Sequence, residues 1–372
     1  MHPANIELHE RFNNMLWETE YANRFGDSYE VAITRSSNNQ ALVLSYASML
    51  YKAGRVEQAK AIAGDLSLSN GPENPELLQL KGTIDAELGK HESAYQFLEH
   101  SLELKYSSEV AHQMVKLDII LYRYPNAQKL LTNIFSVKPH CQLSWALQSL
   151  VWRFSEDQRY DWLCDYSSFV KVYEIQQPPK YDSLDDFLAE VREVLNTMHR
   201  NQNQPLEQTL RNGTQTAARL LDSTNPVLSE LKECLHRVVK EYIAALPEDK
   251  NHPLLARKSN EFEFSGSWSV KLRANGFHVN HVHPEGWISS SCYITIPESM
   301  NISGAEERQN QGDIKFGESP LQLGDRERVE LCVKPKPGMV VLFPSYFWHG
   351  TYPFDGGPSD SRLTAPFDAV PR

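Results

Sequence analysis

The amino-acid sequence predicts an α+β multidomain protein in which an all-α repeat array precedes an all-β jelly roll. Apolar residues recur at helical spacing, with a longer period superimposed, in residues 1–150. Helical spacing continues without that period through 151–256, which we expect to bridge to the roll and pack on it. Short β-branched and aromatic runs then fill 257–372. A chain of 372 residues is long enough for two or three such domains.

The period in the first part comes from small residues that recur between helical stretches. Gly54 and Gly89 are 35 positions apart, and so are Ala59 and Ala94, while Ala127 follows Ala94 by 33. Helical hairpins of about 34 residues with small residues where the helices touch resemble tetratricopeptide repeats. A single hairpin cannot bury its apolar face, so the units stack and leave a curved surface. We therefore expect this part to bind a partner or to brace the molecule.

The bridging region is predicted to hold two helices with a polar stretch between them. The second helix begins at Asn225 and Pro226, a favourable N-cap and first-turn pair. The stretch 204–216 has no periodicity and reads as a loop. The alternative is an ordered polar segment against an active site, which would make Arg211 a pocket residue.

The last part has the texture of an antiparallel β domain. Its runs, such as "GWISSSCYITIP" and "GMVVLFPSYFWHGTYPF", are split by Gly, Pro, Asn and Asp, and they follow one another too closely to leave room for helices. About eight such runs match the strand number of a double-sheet jelly roll.

Composition and charge exclude several classes of protein. The net charge of -11 disfavours nucleic acid and anionic membrane surfaces as partners. No apolar run approaches the roughly 18 residues of a membrane helix, and the amino terminus lacks the apolar core of a signal peptide. The five cysteines form no CxxC pair. We therefore expect a protein of the reducing cytoplasm.

The segment "FHVNHVH" contains the strongest chemical signal. On a strand, His281 and His283 would point to one face, and two neighbouring imidazoles chelate Fe, Zn or Cu. His349 follows an apolar strand further along the chain. Arg362 opens the last predicted strand, "RLTAPFDAV", where an inward guanidinium would need an anion such as a carboxylate.

These residues carry a resemblance to a known superfamily. The blocks "GSWSVKLR", "GFHVNHVHPEGWISSSCYI" and "LFPSYFWHGT", followed by Arg362, resemble the Fe(II)/2-oxoglutarate-dependent oxygenases, whose catalytic domain is a double-stranded β-helix. Within that superfamily, the chain resembles members in which tetratricopeptide repeats precede the jelly roll. The resemblance covers about residues 200–372 closely and the repeats only in kind. It implies Fe(II), 2-oxoglutarate and O₂ as cofactor and cosubstrates.

The chain departs from the usual HxD or HxE ligand pattern of that superfamily. Three ligand sets are open: His281 with His283 and His349, His283 with Glu285 and His349, and His278 with Asn280 at the usual spacing. Strand parity and the turn after His283 favour the first set by a small margin. A neutral amide is a poor ligand, so the third set ranks last.

The resemblance also implies how the cosubstrate binds. The far carboxylate of 2-oxoglutarate would pair with Arg362 and accept a hydrogen bond from Tyr293. The expected cosubstrate residues are Arg362, Tyr293 and Ser289, with Ser291 as an alternative to Ser289, and the candidate pocket residues are Trp287, Trp348 and Arg211. Core packing is the competing interpretation for the aromatic residues and serines.

The leading functional hypothesis is a cytoplasmic dioxygenase that hydroxylates a protein or peptide captured by the repeats. A cupin-like metal protein that does not use 2-oxoglutarate is an alternative, although it would not need a buried Arg362. A catalytically inactive roll on a repeat scaffold is another, and the missing HxD favours it.

Overall fold

The structure, a computed structural model, describes residues 5–35, 39–67, 73–217, 219–300 and 310–372. The chain forms two compact units. One comprises 1–139 with 205–208, and the other comprises 140–204 with 209–372. The second unit thus contains both the bridging helices and the strands. Our finer three-part division stays a prediction.

The first unit is an array of helical hairpins, as the sequence predicts. Side-chain oxygens at the N-caps, for example Asn39 and Ser107, accept hydrogen bonds from the first turn of a helix. The helices are α1 (Ile6–Glu18), α2 (Asp27–Arg35), α3 (Gln40–Lys52), α4 (Val56–Ser67), α5 (Pro75–Glu87), α6 (His91–Leu104), α7 (Ser108–Ile120) and α8 (Tyr124–Val137).

The periodic small residues lie where the repeat predicts them. Gly54 and Gly89 follow α3 and α5 with φ of +73° and +72°, the left-handed conformation that ends a helix. Tyr122 takes the same position after α7 with φ 61°, so the third hairpin keeps the turn without glycine. Ala59, Ala94 and Ala127, one in each hairpin, are fully buried.

The second unit begins with helices and continues with strands. Both helices predicted in the bridging region are present, and Asn225 accepts a hydrogen bond from the amide of Val227 as the second one's N-cap. The helices are α9 (Gln142–Phe154), α10 (Arg159–Leu163), α11 (Tyr166–Phe169), α12 (Leu184–Met198) and α13 (Pro226–Ala245). Short 3-10 turns lie at Ala22–Arg24 in the first unit and at Leu220–Asp222, Leu255–Arg257, Glu298–Met300 and Gly324–Arg326 in the second.

The strands form two antiparallel sheets. They are β1 (Lys171–Glu174), β2 (Leu210–Gln215), β3 (Phe262–Ser267), β4 (Val270–His278), β5 (Ile288–Thr295), β6 (Ile314–Phe316), β7 (Leu331–Val333), β8 (Met339–Pro344), β9 (His349–Thr351), β10 (Ser361–Thr364) and β11 (Phe367–Pro371). The larger sheet has the order β1-β8-β5-β10-β4-β2, with β11 joining β5 to β3. The smaller has the order β7-β6-β9.

Three local predictions were wrong. The predicted loop 204–216 contains the strand β2. Its pairing partner is β4, which is far from it in the sequence. The final strand is two strands, β10 and β11, because Pro366 between them has no amide to donate to a ladder. The stretch "FHVNHVH" is not one strand: β4 ends at His278, and beyond it only His281 forms an isolated bridge, with His349.

Helices α9 and α10 of the second unit hold the turn between β8 and β9. The indole of Trp348 donates to the carbonyl of Ala146 in α9 at 3.0 Å. The hydroxyl of Tyr346 donates to the carbonyl of Leu163 in α10 at 2.9 Å. These contacts set the start of β9, where His349 lies.

No helix in the described part of the chain is long and apolar enough to cross a membrane. All five cysteines are free thiols.

Candidate functional site

Three histidine side chains converge at the start of β9. His281 and His349 pair through two backbone hydrogen bonds, of 2.8 and 3.0 Å, and the amide of His283 donates to the carbonyl of Ser345. The Nε2 atoms of His281 and His283 are 3.2 Å apart. One ring nitrogen from each of His281, His283 and His349 lies within 4.8 Å of the others. The backbone therefore brings together three side chains that a single strand would not.

The hydrogen bonds of the three rings fix which nitrogen carries a proton. In each ring Nδ1 faces an acceptor, so the proton of a neutral imidazole sits on Nδ1 and leaves a lone pair on Nε2. The acceptors for His281, His349 and His283 are the carbonyl of Val279 at 2.9 Å, the carbonyl of Phe347 at 2.9 Å and the carboxylate of Asp368 at 2.5 Å. The unprotonated Nε2 atoms of His281 and His283 are thus 3.2 Å apart, and a ring nitrogen of His349 lies within 4.8 Å of both ligand atoms.

Burial keeps the rings of His281 and His349 neutral. It lowers the pKa of His281 to about 3 and that of His349 well below its usual value, and the neighbouring histidines lower both further. Neutral imidazole is the form that binds a metal.

The spacing of the nitrogens fits a metal ion. Two ligands about 2.1 Å from one ion and about 90–110° apart are about 3.0–3.4 Å from each other. The 3.2 Å between His281 and His283 lies in that range. The donor set of three imidazoles thus fits a divalent first-row ion such as Fe(II).

The alternative ligands are placed differently. Glu285 is exposed in the turn after His283 and is not among the residues whose ligand atoms converge. The amide nitrogen of Asn280 donates to Glu318 at 3.0 Å. The Nδ1 of His278 contacts the hydroxyl of Thr209 at 3.1 Å, and its ring centroid lies 5.9 Å from that of His281. We keep the three-histidine set as our prediction.

A buried guanidinium lies beside this centre. Arg362 is 2% exposed, and burial lowers the pKa of its guanidinium. Its Nη1 donates to the carbonyl of Gly312 at 2.7 Å and its Nη2 to the hydroxyl of Thr351 at 3.2 Å. Among the described residues its Nε has no hydrogen-bond partner and no carboxylate forms an ion pair with it, although the charge of Asp313 acts on it from further away. A buried cation with a free donor is a site for an anion.

Tyr293 adds a second free donor to this site. It lies opposite Thr364 on the neighbouring strand, and the Arg362 guanidinium is 5.9 Å from its ring centroid. The hydroxyl is buried and forms no hydrogen bond of normal geometry within the described ranges of the chain, although the Ser291 side chain lies near it. Burial raises the pKa of Tyr293, so the hydroxyl keeps its proton.

Thr351 was missed by sequence reasoning. Its Oγ1 accepts hydrogen bonds from the amide of His278 at 2.9 Å and from Arg362. With two donors on its oxygen, the hydroxyl proton is left to donate elsewhere. Thr351 is two residues after His349 on β9, and that spacing alone could have drawn attention to it.

The remaining predicted residues make other contacts. Ser289 donates to the Asp368 carboxylate at 2.7 Å and meets the hydroxyl of Ser345 at 2.8 Å. Trp287 and Trp348 are buried, and the indole of Trp287 donates to the carbonyl of Leu254. Arg211 is on β2, where its guanidinium donates to the carbonyl of Leu210. Burial lowers the pKa of His278, and the charge of Arg211 adds a smaller part to that shift. A cosubstrate or pocket role for these four residues stays a prediction.

A family model matches part of the second unit. Residues 266–368 match the family model described as "Putative 2OG-Fe(II) oxygenase". That range includes all three converging histidines, Arg362 and Asp368. The sequence matches no curated protein.

Several solved structures are similar to parts of the chain. PilF of Pseudomonas aeruginosa is 21% identical over 43% of this chain and 72% of its own, with a TM-score of 0.36. A prolyl-4-hydroxylase of Pseudomonas putida is 12% identical over 56% of this chain and 96% of its own, with a TM-score of 0.33. HygX of Streptomyces hygroscopicus, with nickel, 2-oxoglutarate and hygromycin B bound, is 10% identical over 56% of this chain and 85% of its own, with a TM-score of 0.35.

Proposed function

We propose that this chain is an Fe(II)/2-oxoglutarate-dependent dioxygenase that acts on a protein or peptide. The observation that carries the proposal is the pairing of two sites in one unit. Three imidazole lone pairs converge, and next to them Arg362 and Tyr293 offer buried donors that no described residue satisfies. Iron, when bound, would supply the activation of O₂ that couples decarboxylation of 2-oxoglutarate to oxidation of a C–H bond.

The residues of the chain would bind and orient the cosubstrate. The Nε of Arg362 and the hydroxyls of Tyr293 and Thr351 are three donors, and a carboxylate has acceptor sites for all of them. Leu272 opposite Arg362 on β4 and Phe354 near its guanidinium are buried apolar neighbours, which keep water from competing. The far carboxylate of 2-oxoglutarate would be held here.

The strand β9 sets the distance between the two ends of the cosubstrate. His349 and Thr351 point to the same side of it, and two residues along a strand span about 6.6 Å. A five-carbon diacid extends over such a distance, with its 2-oxo acid end toward the histidines. The spacing supports 2-oxoglutarate over a shorter oxo acid.

The test of the proposal is turnover of 2-oxoglutarate. The full chain supplied with Fe(II) and O₂ is expected to release succinate and CO₂ in equal amounts. A cupin-like protein would bind metal without consuming 2-oxoglutarate. An inactive scaffold would do neither, so either result contradicts the proposal.

Tyr293→Phe is expected to raise the KM for 2-oxoglutarate about 10-fold or more without destabilising the protein. A hydrogen bond to a charged group contributes about 1.5–3 kcal/mol. Within the described protein the hydroxyl forms no hydrogen bond of normal geometry and has only the Ser291 side chain near it, so its removal should cost little stability. Succinate formation and thermal unfolding measure the two effects. An unchanged KM would place the carboxylate away from Tyr293.

The repeats are proposed to hold the substrate, and removing them tests this. A chain that begins at His140 keeps the whole second unit and, of the first unit, only residues 205–208. A start near residue 200 would remove β1, which pairs with β8, and α9, which bonds to Trp348. Leu206 packs against the core of the first unit, so Leu206→Ser in the shortened chain avoids exposing an apolar side chain.

The shortened chain is expected to retain slow 2-oxoglutarate turnover and to lose its stimulation by substrate. Remote contacts supply the binding energy that orients a large substrate. Succinate formation with and without a peptide library, compared between both chains, measures the loss. Equal stimulation would mean that the repeats brace the molecule. The cytoplasmic location stays a prediction.

A further inference from the structure

We propose that Asp368 is a positioning residue that supplies, through His283, the negative charge that a three-histidine metal centre lacks. The inference rests on the proposed metal site. In the usual pattern of the superfamily that the chain resembles, one ligand is a carboxylate bound directly to the metal. Here, the carboxylate instead accepts a hydrogen bond from Nδ1 of a ligand histidine, on the side of the ring away from the metal.

The contact between Asp368 and His283 is short and shielded. Oδ1 of Asp368 lies 2.5 Å from Nδ1 of His283, and the two side chains are only 14% and 12% exposed. The same oxygen accepts from the hydroxyl of Ser289 at 2.7 Å. Ser289 in turn meets the hydroxyl of Ser345, the residue whose carbonyl accepts the His283 amide proton. The carboxylate is therefore held in place by groups that also hold the histidine.

Strand register explains how Asp368 reaches this position. It lies opposite Ser289 of β5 on one side and Gly266 of β3 on the other. A Cβ on Gly266 would come within 3.3 Å of the Trp268 ring and 3.8 Å of Oδ2 of Asp368. The Trp268 ring centroid is 5.7 Å from that of His283. Glycine at this position leaves room for the Trp268 indole beside the contact between Asp368 and His283.

The three histidines differ in the charge of their outer partners. His281 and His349 donate to backbone carbonyls, which are neutral, and only His283 donates to a carboxylate. A carboxylate behind a ligating imidazole increases the basicity of the imidazole and fixes its orientation. Three neutral ligands leave a dication uncompensated in a partly buried site, so a negative charge one imidazole away stabilises the bound metal.

The test is the affinity of the metal-free full chain for Co(II), measured by competition with a chelator. Asp368→Asn keeps the size and an acceptor oxygen but removes the charge, and we expect it to weaken Co(II) binding about 10–100-fold. Asp368→Ala should weaken binding at least as much. Ser289→Ala, which removes one hydrogen bond to the carboxylate, should have a smaller effect in the same direction.

Two controls separate a charge effect from loss of structure. Asp360→Asn makes the same change at a carboxylate that accepts from the Gly357 amide in an exposed turn, and it should leave the affinity unchanged. The visible spectrum of the Co(II) protein reports the strength of its nitrogen donors. It should shift in Asp368→Asn, even when excess Co(II) fills the site, and not in Asp360→Asn.

These measurements test the role of Asp368 separately from the proposed dioxygenase activity. A 10-fold loss in Asp368→Asn with a shifted spectrum supports it. An affinity within twofold of the parent overturns it, and so does an effect in Asp368→Ala alone, because the charge would then be irrelevant. A parent chain that binds no Co(II) overturns it together with the metal site. A chain that binds Co(II) but releases no succinate with Fe(II) contradicts the dioxygenase, while the variants still decide the role of Asp368.

Discussion

His349→Ala is expected to abolish metal binding while the second unit stays folded. His349 contributes one of three converging nitrogens, and two imidazoles two residues apart cannot surround an ion alone. The loss of metal affinity should exceed the roughly 10–100-fold loss that follows removal of a residue hydrogen-bonded to a ligand. The strand pairing of β9 with β6 uses backbone groups, which the substitution leaves in place.

Metal content per mole and a Co(II) titration measure this effect. The imidazole packs 4.6 Å from the ring of Phe343, so alanine also removes core contacts. His349→Gln is the matched variant, since it keeps most of the volume and should lose the metal too. Unchanged metal content in both variants would show that His349 is not a metal ligand.

The same titration separates the two leading ligand sets. If the three histidines bind, His281→Ala loses most of the affinity and Glu285→Ala keeps it. The exposed position of Glu285 supports that outcome. The reverse result would restore the usual set of two histidines and a carboxylate.

Arg362→Ala is expected to raise the 2-oxoglutarate requirement by two to four orders of magnitude and to leave metal affinity unchanged. Removing one partner of a buried charge pair costs roughly 3–5 kcal/mol, which corresponds to that range of affinity. The guanidinium also donates to the carbonyl of Gly312 and to Thr351, so some stability should be lost as well.

Two further variants isolate the charge from the packing. Arg362→Met fills much of the volume without a charge and should behave like alanine for 2-oxoglutarate. Arg362→Lys keeps the charge without the planar fork and should fall between these variants and the parent. The KM from succinate formation is the measurement. A change in KM below about threefold for Arg362→Ala would indicate that Arg362 has a structural role and that other residues bind the far carboxylate of 2-oxoglutarate.

The sequence by itself determined the local features of the fold. The 35-residue spacing of Gly54 and Gly89 predicted the hairpins because a helix ends where a residue adopts the left-handed conformation, which both glycines adopt. Asn225 and Pro226 predicted the start of α13 for a similarly local reason. Such signals depend only on residues within one helical turn, so they can be recognised without knowing the rest of the fold.

Strand pairing was decided only by the tertiary structure. The stretch containing Arg211 looked like a loop because its partner, β4, lies about 60 residues away, and no nearby pattern records that pairing. For the same reason, the convergence of His281 with His283 does not follow from strand parity, since the chain leaves the strand at His278.

Part of the candidate site was predicted from the sequence, and part was revealed only by the fold. Residue type and order drew attention to the three histidines and to Arg362, because neighbouring imidazoles can chelate a metal and an inward guanidinium needs an anion. Asp368 and Thr351 are ordinary residues in sequence. Asp368 reaches His283 through the register of β11 on β5, and Thr351 reaches Arg362 through a hydrogen bond between the smaller and the larger sheet. Register is set by packing across the whole sheet, so only the folded structure could reveal these partners.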